Sequence, residues 1–227
     1  MILSRLQRGQ LLMTLSQGRR AVRWLEGRVR RAEAERAILA GARLPRADLR
    51  ESLLSGADLR GADLRRARLC GADLRDADLR MADLHRADLR GADLRGVRWR
   101  GARLDHALIS RTTRLDPPDR AALPDTVYCL GPDADLREAD LRGAWLDYTD
   151  LSGAKLDRAQ LRGARLWRAD LSRASLRDAD LRTADLSGAC LVWADLTGAE
   201  WFDADFSGAQ LLGARFDEEP SRWMKTA

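Results

Sequence analysis

From Leu39 to Ile109, and again from Leu136 to Phe216, every fifth residue is large and apolar. There are 32 such centres, 27 of them leucine, and alanine stands two residues before 29 of them. The exceptions at that second position are Ser52, Val97 and Thr149. A period of five fits neither the 3.6 of a helix nor the 2.0 of a strand. It does fit a square coil with one pentapeptide per side, in which the centre and the alanine before it point inward. Twenty residues then close a turn, so residue n stacks on n+20 and successive coils bond through their backbones at roughly the 4.8 Å spacing of strands. Alanine is required because four sides converge on a narrow axis, and the remaining three positions face water.

Ala-Asp-Leu-Arg, as at 57–60, 62–65, 72–75 and 92–95, resembles the pentapeptide-repeat proteins. That resemblance implies an all-β solenoid, a right-handed quadrilateral β-helix. Thirty-two repeats on four sides predict about eight coils, with an N-terminal helical segment and one projecting insertion. The chain divides into a basic helical cap (1–36), a first repeat run (37–110), a projecting loop (111–133), a second run (134–218) and a C-terminal tail or cap (219–227). Fold alone does not assign function, because one scaffold hosts many roles.

Residues 1–36 lack the pentapeptide pattern. Leu11, Leu15, Val22, Leu25 and Val29 mark one helix face, and nine basic against three acidic side chains occupy the segment. It is expected to cap the first coil, since an open solenoid end exposes backbone and leucine. Contact with an anionic membrane surface or a second chain is the alternative. The longest early apolar run, Leu11 to Leu15, is too short for a secretory or spanning segment. Three cysteines, Cys70, Cys129 and Cys190, form no disulfide framework, and a cytoplasmic location follows.

Leu136 lies 27 residues after Ile109, five repeats plus two, so the phase breaks between them. Asp116-Pro117-Pro118-Asp119 and Leu123-Pro124-Asp125 read as a loop, with its tip at 116–125. Loops leaving a rigid scaffold often carry binding residues, so Asp116, Asp119 and Asp125 are candidate contacts. Outward positions generally pair Asp before the centre with Arg after it, as in Asp58/Arg60 and Asp78/Arg80. Against that background Trp145, Tyr148, Arg165, Trp167 and Arg168 cluster just after the insertion, with the composition of an interaction hot spot. If the insertion covers them, they are core instead. Val192, Trp193, Phe202 and Leu212 form a second apolar set near the C-terminal end, to be covered by the tail or by a homodimer contact through that terminal cap.

No nucleophile–base spacing, metal-ligand cluster or phosphate loop stands out, so no enzyme, cofactor or metal is expected. Alternating Asp and Arg rows cancel the field that nucleic-acid binding needs, which argues against direct contact with nucleic acid. The leading expectation is a non-catalytic scaffold that binds a protein partner through the insertion and the adjacent aromatic surface. The resemblance implies an alternative, because some pentapeptide-repeat proteins mimic DNA and protect DNA gyrase or topoisomerase IV from inhibitors. Residues 183–221 hold eight acidic groups against Arg215 alone, which makes Asp195, Glu200, Asp203 and Asp205 the candidates for that role.

Overall fold

The computed structural model describes residues 39–217, so both terminal segments lie outside the described residues. The chain forms two compact units, Met1–Val127 and Tyr128–Ala227. In each, parallel bridges join the residue before one centre to its counterpart twenty positions on: Arg43 to Asp63 to Asp83 to Arg103 in the first, and Asp135 to Lys155 to Ser175 to Asp195 to Arg215 in the second. The expected centres and alanines fill the interior. Leu59, Ala62, Leu64, Leu74 and Leu84 in the first unit, and Leu156, Ala159, Leu161 and Leu171 in the second, have no exposed surface.

Each side ends in a tight turn. The Leu59 carbonyl accepts the Ala62 N–H (3.0 Å), and between them Gly61 takes a left-handed φ of 63°. This is the third residue of a type II turn, a position that favours glycine. Many other corners hold no glycine: Arg66, Met81, Arg86, Tyr148 and Trp193 sit at φ of 57–61°. Such residues cost of order 1 kcal/mol each unless the surroundings fix them. Here the ladder does so, since the Arg66 N–H donates to the His85 carbonyl at 2.9 Å and the Tyr148 N–H to the Trp167 carbonyl at 2.9 Å.

Between centres, Asp and Arg grip each other across the inward leucine. Arg60 donates through Nε (2.8 Å) and a terminal nitrogen (2.7 Å) to Asp58, and Arg75, Arg95 and Arg142 repeat the fork on Asp73, Asp93 and Asp140. Two outward carboxylates are buried against expectation, Asp78 and Asp88. Asp78 lies within 4.0 Å of Arg60, Arg80 and Arg98, and its hydrogen bond from Arg80 holds the carboxyl at about 2. Cys70 is only half exposed, and burial pushes its thiol up to about 12. The thiolate needed for reactivity is therefore disfavoured. His85 meets His106 edge-on at 5.5 Å; burial, with Arg86 and His106 nearby, pulls its imidazole below 6.5.

The segment expected to project is laid against the last coil of the first unit. After β1 (Leu108–Ser110), one extra residue enters, and Arg114 rather than residue 113 bridges Asp93. Thr113 repairs the gap: its buried hydroxyl donates to the Leu89 carbonyl (3.0 Å) and accepts the N–H of Gly91 (3.1 Å) and of Ser110 (3.0 Å). Further along, the chain stays in step with the coil beneath. Asp116 accepts the Gly96 N–H at 2.8 Å, the Trp99 indole donates to Asp119 at 3.3 Å, and the His106 N–H donates to Thr126 at 2.9 Å. A short helix, α1 (Pro117–Ala121), crosses this coil, with proline at its start, where the lost N–H has no partner to give up. Leu115, Leu123 and Val127 pack on the core. The second unit opens with β2 (Tyr128–Leu130), where Leu130 is buried and the Tyr128 hydroxyl accepts the Asp140 N–H at 2.9 Å.

Two measurements check these assignments. In urea melts, Leu74→Ala and Leu171→Ala each lower stability by about 2–5 kcal/mol through cavity formation, whereas Arg137→Ala, which removes a fork whose two partners are both exposed, lowers it by at most about 1 kcal/mol. Stability also falls with acidification in two windows. The lowered His85 value means that the unfolded chain binds the proton first, so stability is lost as pH drops through about 6.5. The lowered carboxyls of Asp48 and Asp78 contribute above 3.8, and that contribution is lost as pH falls toward about 2. Thermal melts against pH should show both windows, and His85→Gln should remove the upper one.

Candidate functional site

The second unit carries aromatic side chains at outward positions where neighbouring coils carry Arg, Asp, Ser or Gly. Trp145 precedes the centre Leu146, and the bridge to the next coil sets Arg165 above it. The Arg165 guanidinium lies 4.5 Å from the Trp145 ring centre and 3.1 Å from Asp147. Trp167 follows the next centre on the same side, with Arg168 over its ring at 5.0 Å and Tyr148 edge-on at 4.8 Å. Tyr148 is 62% exposed, Arg165 and Arg168 are exposed, and both tryptophans are half-buried. These five residues form two adjoining stacks on one surface. The sequence pattern singled them out but did not reveal Asp147, which fixes Arg165 from the coil below.

The loop candidates are placed otherwise. Asp116 and Asp119 spend their carboxylates on Gly96 and Trp99 in the first unit, while Asp125 is exposed. They belong to the first unit and the aromatic stacks to the second.

The acidic candidates are not a row of uncompensated charges, which corrects the sequence expectation. Asp195 accepts from Arg177 at 2.8 Å and lies 3.8 Å from Arg215. Although burial opposes it, hydrogen bonds from Thr197 and Arg177 hold that carboxyl at about 2. Glu200 lies 3.3 Å from Arg182. Asp203 is exposed at a corner with φ of 57°, and Asp205 accepts the Ser207 N–H at 2.9 Å. In the same coil Trp201, Phe206 and Phe216 pack edge to face with centres 6.3–6.4 Å apart. Phe202 and Leu212 are exposed, as is Trp193 in the coil before. The tail that the sequence reading set over them lies outside the described residues.

Among the described residues, no group of three or more His, Cys, Asp or Glu side chains is placed to hold a metal ion. No described helix is long and apolar enough to cross a membrane.

No curated protein matches the chain. Among solved structures, HetL from the cyanobacterium Nostoc sp. strain PCC 7120 is a pentapeptide repeat protein involved in heterocyst differentiation regulation. It shares 35% identity over 80% of this chain and 77% of its own, with a TM-score of 0.32. A second pentapeptide repeat protein from Nostoc PCC 7120 shares 32% identity over 53% of this chain and 93% of its own, with a TM-score of 0.22. QnrB1, described as a plasmid-mediated fluoroquinolone resistance protein, shares 20% identity over 81% and 92%, with a TM-score of 0.35. The family model for pentapeptide repeats matches eight copies, over residues 52–91, 82–113, 134–166 and 166–200. With that coverage and the coil geometry above, the chain belongs to the pentapeptide repeat family, whose fold is the right-handed β-helix solenoid.

Proposed function

We propose that this protein is a non-catalytic interaction module that docks a protein partner on the Trp145, Tyr148, Arg165, Trp167 and Arg168 surface of its second unit. One observation carries the reading: both tryptophans are already stacked under arginines while Tyr148 stands 62% exposed beside them. Preordered aromatic and arginine side chains lose little rotamer freedom on binding, which is what makes such residues energetic anchors. Asp125 is exposed, unlike Asp116 and Asp119, and its contribution is secondary in this proposal. A cytoplasmic location belongs to this proposal, since free cysteines suit a reducing compartment. Pull-down from native lysate with wild type, Trp145→Ala/Trp167→Ala and Asp125→Ala tests it. The double variant should lose partners that the other two retain; identical partner sets from all three folded proteins would sink the site.

Protection of DNA gyrase or topoisomerase IV is the competing reading. Duplex mimicry requires carboxylates left as open charges, and the ion pairs at Asp195 and Glu200 weaken it. The 20% likeness to QnrB1 bears on fold only. In a gyrase supercoiling assay with a fluoroquinolone, the expected result is no rescue at several-fold molar excess of this protein. Rescue abolished by neutralising Asp195, Glu200, Asp203 and Asp205 would replace the first reading.

A further inference from the structure

The excess of arginine over acidic residues in the first unit is not shared equally among its faces. The bridge register assigns every outward residue to one of four faces. On the two faces centred on Leu59 and Leu64, with the corners that follow them, ten arginines meet five aspartates. On the other two faces, seven arginines meet seven acids. The excess is organised in columns: Arg60, Arg80 and Arg100 along one edge, and Arg46, Arg66 and Arg86 along the next corner. Between these columns, at a corner otherwise made of Gly41, Gly61 and Gly101, stands Met81, 71% exposed.

The last full coils of the second unit present the inverse arrangement. On the faces centred on Leu181 and Leu186, from residue 180 to residue 208, Asp180, Asp185, Glu200, Asp203 and Asp205 accompany one cation, Arg182; Arg162, Arg165 and Arg168 stand on these faces one coil earlier, with Arg165 held by Asp147, so the acidic excess lies toward Glu200, Asp203 and Asp205. Phe202, 74% exposed, lies among them on the rim of an open cleft formed with Glu200, Asp203 and Asp205. The ion pairs at Glu200 and Asp180 use Arg182 twice, so they leave the patch net acidic.

We infer that these two surfaces bind each other between copies of the chain: the Met81-centred basic face of one molecule receives the Phe202-centred acidic face of a second. Each surface offers one exposed apolar residue ringed by charge of the opposite sign, and a thioether against an aromatic ring is a favourable contact. Opposed potentials of this kind steer encounter and fix register, so the association is weak, fast and salt-sensitive. Because the two surfaces differ, the contact is heterologous: a pair leaves one acidic face open on the first copy and one basic face open on the second, where further copies can add. The acidic surface adjoins the aromatic docking surface, since Arg165 bridges Asp185, but the variants below leave the Trp145, Tyr148 and Trp167 stacks untouched.

Sedimentation velocity of the full chain tests it. At about 10 mM salt, where screening reaches only beyond ~30 Å, the weight-average mass should at least double as concentration rises. At about 1 M, where the screening length is ~3 Å, it should return to the monomer. Arg60→Glu/Arg100→Glu and Asp203→Arg/Asp205→Arg, each checked for folding by circular dichroism, should both stay monomeric alone. An equimolar mixture of the two should associate again, because the intact acidic face of the first meets the intact basic face of the second and the two swapped faces also complement each other. A wild type that stays monomeric at low salt overturns the inference without recourse to any variant. Association that survives both swaps, as a symmetric contact elsewhere would, overturns it as well.

Discussion

Hydrogen bonds that tie each centre and the residue before it to neighbours one coil away impose a condition that the rest of this structure obeys: every coil must contain the same number of residues. The Leu59 N–H reaches the Asp78 carbonyl and the Asp78 N–H reaches the Ala57 carbonyl, so one added residue would misplace every partner downstream. The interior follows from the same condition. With the sides locked in register, only one large side chain per pentapeptide can enter the axis, and alanine must precede it. Where the count does fail, after Ser110, the cost falls on a few groups. Thr113 meets it with a single hydroxyl that both donates and accepts, which explains a buried threonine in an interior otherwise made almost wholly of leucine and alanine.

That condition also explains why the interior was legible in the sequence and the corners were not. Leucine and alanine recur at fixed spacing because nothing else fits, so the period gave the coil and its inward residues. A left-handed corner ordinarily advertises itself by glycine. Here Arg66, Met81, Arg86 and Trp193 occupy it, residues whose own preferences point elsewhere. They are held by bonds to the next coil, a constraint invisible in local sequence. The segment after Ile109 was misread for a related reason. Its prolines and aspartates have loop composition, yet Asp116 and Asp119 substitute side-chain oxygens for the missing ladder and keep the chain on the coil.

The candidate sites divide along the same line. Trp145, Tyr148 and Trp167 stood out because a repeat supplies its own background, against which a departure is easy to see. The pairing of acidic residues was not readable, because the relevant partners are not neighbours in sequence. Arg177 meets Asp195 and Arg182 meets Glu200, each eighteen residues away on the adjoining coil. A count of charges along a segment such as 183–221 therefore overstates the field that the segment presents, since its carboxylates draw on cations from the coil before it.

A scaffold of this kind separates stability from surface chemistry more completely than a globular core does. Buried centres carry the hydrophobic stabilisation, while exposed Asp–Arg pairs contribute little each. Outward positions can therefore change sign or become aromatic with small cost to folding. Charge can then gather on particular faces without altering the total. The formal net charge of +5 says little about partners, because it averages a face with twice as many arginines as aspartates against faces that balance. Long-range attraction depends on the local sum within about a Debye length, ~8 Å at physiological ionic strength, which spans neighbouring coils but not the whole chain. For this protein the face, and not the chain, is the unit on which recognition acts.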